Sequence, residues 1–246
     1  LSADPLGLAG VPVLVAGATG RVGGAVARAF AARGAEVLVH GRSDGGTKTL
    51  ADALTAGYGV RAHPLTADLT SPDAPRALRA GLAAAGVERL NVLVNCVTGY
   101  DGLPRSAADL TAEEFRAVLE TDLVAVHTLV ATALPLLVAS GRARVVLLSS
   151  LAGVRGRPAA AHLCAAKAGV AGLTLALAHD LAGQGVRVNC VAPGPVQEPG
   201  VAHAGPLGPG VAPNTPDEVA GCVVALASDL SSPVTGHLQV VNGGRP

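Results

Sequence analysis

The sequence predicts an α/β fold, a parallel sheet covered by helices on both faces. Three observations carry that prediction. Short runs rich in Val and Leu alternate along the chain with longer Ala/Leu-rich stretches. The short runs are apolar throughout, not at every second residue, so both faces of each strand are expected to be buried. The chain has 246 residues, 50% apolar and only 15% charged, enough hydrocarbon for one large core and too few charges for a disordered polyelectrolyte.

Strands are expected at residues 11–16, 36–40, 60–65, 90–96, 144–149, 186–192 and 238–241. Helices are expected near 22–33, 48–56, 73–85, 112–139, 160–183 and 216–227. The helix after Thr111 opens on a capping box, with Glu114 three residues on. No linker composition and no repeat divides the chain, so one domain over 1–246 is expected. The Pro/Gly-rich segment 193–216 is too long for an ordinary connection. Its part from Pro195 to Pro216 is expected to form a substrate lid.

The first strand runs into Gly17-Ala18-Thr19-Gly20-Arg21-Val22-Gly23-Gly24, and a helix follows. Glycines there let the backbone approach a pyrophosphate, and the helix behind them offers unpaired N–H groups and a positive dipole end. A plain tight turn is the alternative, but the strand before and the helix after are the context a dinucleotide loop needs. The second strand ends in Gly41-Arg42, where an NAD-selective site usually carries a carboxylate. Arg42 suits a 2′-phosphate, so NADP(H) is favoured over NAD(H); a solvated surface Arg is the alternative.

Further along stand Ala67-Asp68-Leu69-Thr70, Leu93-Val94-Asn95, Val146-Leu147-Leu148-Ser149-Ser150, Ala165-Ala166-Lys167-Ala168-Gly169, Val186-Arg187-Val188-Asn189-Cys190-Val191-Ala192-Pro193-Gly194, Thr215 to Val219, Thr235-Gly236 and Asn242-Gly243-Gly244. With the glycine loop, these in this order resemble the short-chain dehydrogenase/reductase family over nearly the whole chain. The resemblance implies a doubly wound, Rossmann-like fold with a seven-stranded parallel sheet, and an oxidoreductase acting on a carbonyl or hydroxyl of a small organic substrate. It implies cofactor contacts from Gly17, Thr19, Gly20, Arg21, Val22, Gly23, Arg42, Asp68, Leu69, Asn95, Lys167, Pro193, Gly194 and Val196. Asp68 would sit near the adenine, Asn95 beside the cofactor at the central sheet, and Pro193, Gly194 and Val196 along the nicotinamide.

The family's catalytic group resembles Asn, Ser, Tyr and Lys, with Tyr one helical turn before Lys. Here Lys167 and Ser150 are in place, but the Tyr position holds Leu163 and the Asn position holds Asp122. Arg21 stands at the middle glycine of the family loop, although Gly17, Gly20 and Gly23 fit its longer-chain branch. Leucine has no dissociable proton, so the site is expected to be atypical. Lys167 is one of only two lysines, the other being Lys48, against 16 arginines. Its retention suggests a kept cofactor site, where it would hold the nicotinamide ribose. Tyr100, after the fourth strand, is a replacement acid if its phenol turns inward and a surface Tyr otherwise. Asp122 is an ion-pair partner of Lys167 or a general base, or else a buried cap in a helix kink. His162 adjoins Leu163 but points about 100° away around the helix, which favours a structural or interface role.

The formal net charge of zero gives no electrostatic footprint for nucleic acid or an anionic membrane. No uninterrupted apolar run suggests a spanning helix, and the first residues lack the basic flank of a signal peptide. Cys96, Cys164, Cys190 and Cys222 are too scattered for a disulfide or zinc framework, and the histidines lack metal-ligand spacing, so no metal is expected. These features fit the cytoplasm. The resemblance implies a homo-oligomer, dimer or tetramer, through the long helices near 112–139 and 160–183. Two other functions remain open: a non-redox dehydratase, cyclase or isomerase using Asp122, Ser150 or Lys167, and a non-catalytic NADP(H)-binding subunit paired with an active homologue.

Overall fold

The computed structural model describes residues 4–198 and 213–243. Most of the expected lid, including His203, lies outside the described residues. Seven strands form one sheet: β1 (Pro12–Ala16), β2 (Glu36–Gly41), β3 (Ala62–Thr66), β4 (Val92–Asn95), β5 (Ala143–Leu148), β6 (Val186–Pro193) and β7 (Leu238–Val241). Their order is β3-β2-β1-β4-β5-β6-β7, and every pairing is parallel. The order reverses between β1 and β4. The carboxyl ends of those two strands therefore open a crevice, the usual ligand position in such a sheet.

Alternate residues of the strands feed two separate cores. Leu14, Leu38, Leu93 and Val145 face one side, packed under α3 (Ala74–Ala84), α5 (Ala125–Ala139) and α7 (Ala161–Leu181). Val13, Val15, Val37, Val92 and Val146 face the other, under α1 (Arg21–Ala31), α2 (Asp44–Tyr58) and α8 (Pro216–Ala227). Helices cover both faces, which is why these strands show no polar alternation.

The expected single helix over 112–139 is broken. It runs as α4 (Ala112–Leu119), a π-helical turn Glu120–Val124, and α5. The capping boxes of α4 at Thr111/Glu114 and of α8 at Thr215/Glu218 are both formed. The short α6 (Leu151–Arg155), capped by Ser150, was not expected. Residues 112–139 and 161–184 are long and apolar enough to cross a bilayer by length and composition alone, contrary to the sequence expectation. In the fold they lie against the sheet, with Val126, Leu129, Val170 and Leu181 in its core.

Candidate active site

The glycine turn is built by contact. Gly17 has φ +73°, and a Cβ there would lie 3.1 Å from the Cys96 carbonyl carbon and oxygen. A Cβ on Gly23 would lie 2.1 Å from the Gly17 oxygen, so only hydrogen lets α1 start against the turn. No side chain caps α1 at Gly20, leaving its N-terminus for a ligand. Beneath the turn, the Gly17 N–H donates to His40 Nδ1 at 3.3 Å, while His40 Nε2 meets the Ala67 carbonyl at 3.1 Å. The imidazole thus donates from Nε2 and accepts at Nδ1. Burial pushes it down to about 4, so it is neutral. A Cβ on Gly41 would meet the Thr19 and Thr47 side chains at 3.0 Å. Beyond it Arg42 is exposed, as is Asp68, whereas Leu69 is buried. The Thr70 hydroxyl and N–H donate to Asp68 and hold its carboxyl below the ordinary range, and the charge of Arg42 adds to this.

These groups fit a dinucleotide: a turn with no Cβ, an uncapped helix start, and a cation at the end of β2. Asn95 adds to the fit. It is fully buried at the end of β4, and neither amide atom has a hydrogen-bond partner among the described residues.

On the far side of the crevice, Lys167 Nζ lies 3.0 Å from Asp122 Oδ2, and both side chains are buried. Asp122 Oδ2 also accepts from the Thr98 hydroxyl at 2.7 Å, and Oδ1 from the Gly99 N–H. The π turn aims this carboxylate at the segment leaving β4. Lys167 reaches the Leu148 carbonyl at 3.4 Å as well, and its own carbonyl accepts from the Ser149 hydroxyl at 2.7 Å. Ser150 Oγ accepts the Ala152 N–H at 3.2 Å as the cap of α6, so its own proton is free to be donated. Desolvation pushes the Cys96 thiol up to about 12, against the opposing charge of Lys167, and makes it an inert wall.

Leu163 lies in a small apolar cluster with Ala152 and Ala160, on which Tyr100 and Cys164 pack. Tyr100 is therefore no free surface residue. Its hydroxyl donates to the Leu103 carbonyl at 3.3 Å, and the Arg157 guanidinium sits 5.7 Å from its ring centre. Edge-on to the same ring, at 5.4 Å, lies His162. At the other lip, Gly194 N–H donates to the Val241 carbonyl and Val196 bridges to Asn214. Arg21 Nη1 reaches across the crevice to the Val196 carbonyl at 3.0 Å.

The structure thus gathers Asp122, Lys167 and the β4 exit in one network, and Ser150, Leu163 and Tyr100 around α6. It does not show Asp122 free to act as a base, because three donors already occupy its carboxylate. Three contributors went unremarked in the sequence. His40 buttresses the turn, Thr98 satisfies Asp122, and Asn214 ties the lid neck to β7 through Pro195, Val241 and Gly243. Only His40 left a signal, a polar residue inside an apolar strand.

A seven-stranded parallel sheet with a glycine turn at its switch point defines a doubly wound, Rossmann-like protein. The family model described as enoyl-(acyl carrier protein) reductase matches residues 17–245. The chain is similar to the 3-oxoacyl-(acyl-carrier-protein) reductase of Rickettsia bellii, 32% identical over 96% of this chain and 97% of that protein. It is also similar to nodulation protein G of Rhizobium meliloti, 35% identical over the same shares. The crystal structure of the 3-oxoacyl-(acyl-carrier protein) reductase of Brucella melitensis superposes with a TM-score of 0.86 at 30% identity, covering 96% of this chain and 91% of that one. The chain belongs to the short-chain dehydrogenase/reductase family and is an oxidoreductase by descent.

Proposed function

We propose that the chain is an NADP(H)-dependent reductase of a small carbonyl compound, with a 3-oxoacyl thioester as the first substrate class to test. The observation that carries this is the intact cradle, Gly17, Gly20 and Gly23 over His40, facing a buried Lys167 across the crevice. Arg42 supports the 2′-phosphate form, since no carboxylate ends β2 and a guanidinium pairs well with phosphate. The relatives named as 3-oxoacyl reductases support the substrate class.

The dinucleotide, when bound, supplies a hydride for the carbonyl carbon. Gly17, Thr19, Gly20, Arg21, Val22 and Gly23 would hold its pyrophosphate. Arg42, Asp68 and Leu69 would flank the adenosine, and Asn95, Pro193, Gly194 and Val196 the nicotinamide end. Ser150, with its proton free, orients the carbonyl oxygen. Lys167 has its charge balanced by Asp122, so it acts as a positioned donor to the ribose more than as a field source. The site is atypical because Leu163 offers hydrocarbon where the family has a phenol. The non-redox alternative is less favoured, because Asp122 and Lys167 are enclosed and engaged with each other, which leaves Ser150 of its three proton carriers.

Assembly into a homo-oligomer through α4–α5 and α7 is part of this proposal. Val124 and Leu175 on these helices are exposed in the single chain. The test is NADPH consumption with acetoacetyl and longer 3-oxoacyl thioesters, alongside NADPH and NADH titrations by calorimetry. Turnover with NADPH and tighter NADPH binding are expected. Absence of binding by either nucleotide would overturn the assignment.

A further inference from the structure

We infer that the chain carries a second ligand site, a pocket for a phosphate dianion at the amino ends of β5 and β6. A cavity of about 420 Å³ opens there. Arg142, Arg144 and Arg187, at the entry to the two strands, line it together with Asp229, which stands in a single 3-10 turn after α8. The crevice of the glycine turn and Lys167 lies at the other ends of the strands. The length of β5, roughly 15–20 Å at about 3.3 Å per residue, separates the two sites.

Three guanidiniums meet one carboxylate in this cavity, in a chain whose formal net charge is zero. Positive charge in excess along a cleft concentrates anions. Arg144 is 3% exposed. Its Nη2 pairs with Asp229, but its Nη1 is enclosed and has no hydrogen-bond partner among the described residues. A guanidinium presents a fork suited to two oxygens, and here only one prong is filled. An unmet buried donor costs about 1–3 kcal/mol, so a ligand oxygen that meets it gains by that much. Asp229 is the movable partner: its side chain is 43% exposed, and an oxyanion can take its place on the fork and fill both prongs.

Arg187 gives its Nη hydrogens to the carbonyls of Leu226, Ser228 and Val234, which satisfy donors without cancelling charge. Burial lowers its pKa, and the charge of Arg144 adds to this against the opposing pull of Asp229. Arg142 is exposed and adds a third cation to the same wall.

The neutral groups point to phosphate over carboxylate. Thr235 Oγ1 accepts the Val188 N–H at 3.1 Å, which leaves its own proton to give, and Ser232 brings a second hydroxyl. Two negative charges and three acceptor oxygens use such a set more fully than one charge and two oxygens. The volume falls within the roughly 300–1,000 Å³ of small-molecule sites, and Ala182 and Pro233 give it apolar walls. A phosphate carried on a small organic body therefore fits better than the bare ion.

The test is calorimetric titration of the full-length protein at about pH 8, above the second phosphate pKa of about 6, with phenyl phosphate, inorganic phosphate and benzoate as probes. Phenyl phosphate is expected to bind the parent protein. Arg142→Gln, which changes an exposed side chain, is expected to bind it about tenfold more weakly, and Arg144→Gln more weakly still. Arg142→Gln decides the matter if Arg144→Gln does not fold. Arg42→Ala, altered in the crevice, is expected to keep the phenyl phosphate affinity of the parent. Weaker binding of inorganic phosphate makes an ester the ligand and equal binding makes it the free ion; either result sustains the site. No heat with either phosphate, benzoate binding as tightly as phenyl phosphate, unchanged affinity in Arg142→Gln, or a loss confined to Arg42→Ala would each overturn it.

Discussion

Asp122 and Lys167 form an ion pair of 3.0 Å in which neither side chain reaches solvent to any useful extent. The aspartate sits in a π-helical turn, the lysine in the second turn of α7, and the segment leaving β4 is tied to the aspartate through Thr98 and Gly99. The pair joins three elements that have no covalent reason to stay together. Removing one charge strands the other in a dry interior.

The Asp122→Leu variant is accordingly expected to lose about 3–5 kcal/mol of unfolding free energy, the usual cost of a stranded buried charge. The double variant Asp122→Leu/Lys167→Met should recover most of that loss. Urea denaturation of the two singles and the double closes the cycle.

Acid should weaken the fold through His40. Its pKa falls from the ordinary 6.5 to about 4 in the folded chain because burial disfavours the cation. Between those values the unfolded chain takes up a proton that the folded one refuses. The contribution is therefore complete above the unfolded value and is lost as pH falls towards 4, at most about 3 kcal/mol from this group. A His40→Gln variant should flatten this part of the stability–pH curve. Nucleotide affinity should hold over that range and fall only as pH nears 4, where the folded chain takes up the proton that ends the bond Nδ1 accepts from Gly17.

The Gly23→Ala variant puts a methyl where the Gly17 oxygen already stands, 2.1 Å away. The turn must open, at a cost of about 1–3 kcal/mol in stability. Calorimetry with NADPH should show at least a tenfold weaker association, while circular dichroism keeps its α/β shape.

Arg42→Ala should weaken NADPH binding by about 10- to 100-fold, the loss of a charge-assisted contact to phosphate. NADH binding should hardly change. Equal losses for both nucleotides would place Arg42 outside the 2′ position.

Leu163→Tyr restores a phenol one turn from Lys167 and should raise activity only modestly on its own. The ammonium that would acidify the phenol is balanced by Asp122. The larger gain is expected from Leu163→Tyr combined with Asp122→Asn, measured as kcat with NADPH.

Much of this fold was legible because its central strands are buried on both faces and its glycines mark sharp turns. Gly17 to Gly23 and Lys167 announced themselves by residue type and spacing. The break at 120–124 surfaced only as one alternative for Asp122, a helix kink, because Glu-Thr-Asp-Leu-Val has nothing that forbids an α-helix; what the turn serves, Asp122 meeting Lys167, Thr98 and Gly99, is a tertiary arrangement. His162 shows the same limit. One residue before Leu163 on α7, it is buried with its ring edge-on to Tyr100. Where the Tyr100 loop lies is a tertiary fact.

The π turn also constrains what insertion and deletion can do to this protein. One residue removed between 120 and 124 would heal the helix into a regular spiral. The two halves would then be swung by about 100° relative to each other. Either Val126 and Leu129 would leave the interior, or Val118 and the α4 surface would. An apparent imperfection in the backbone thus makes chain length at this point as invariant as any side chain.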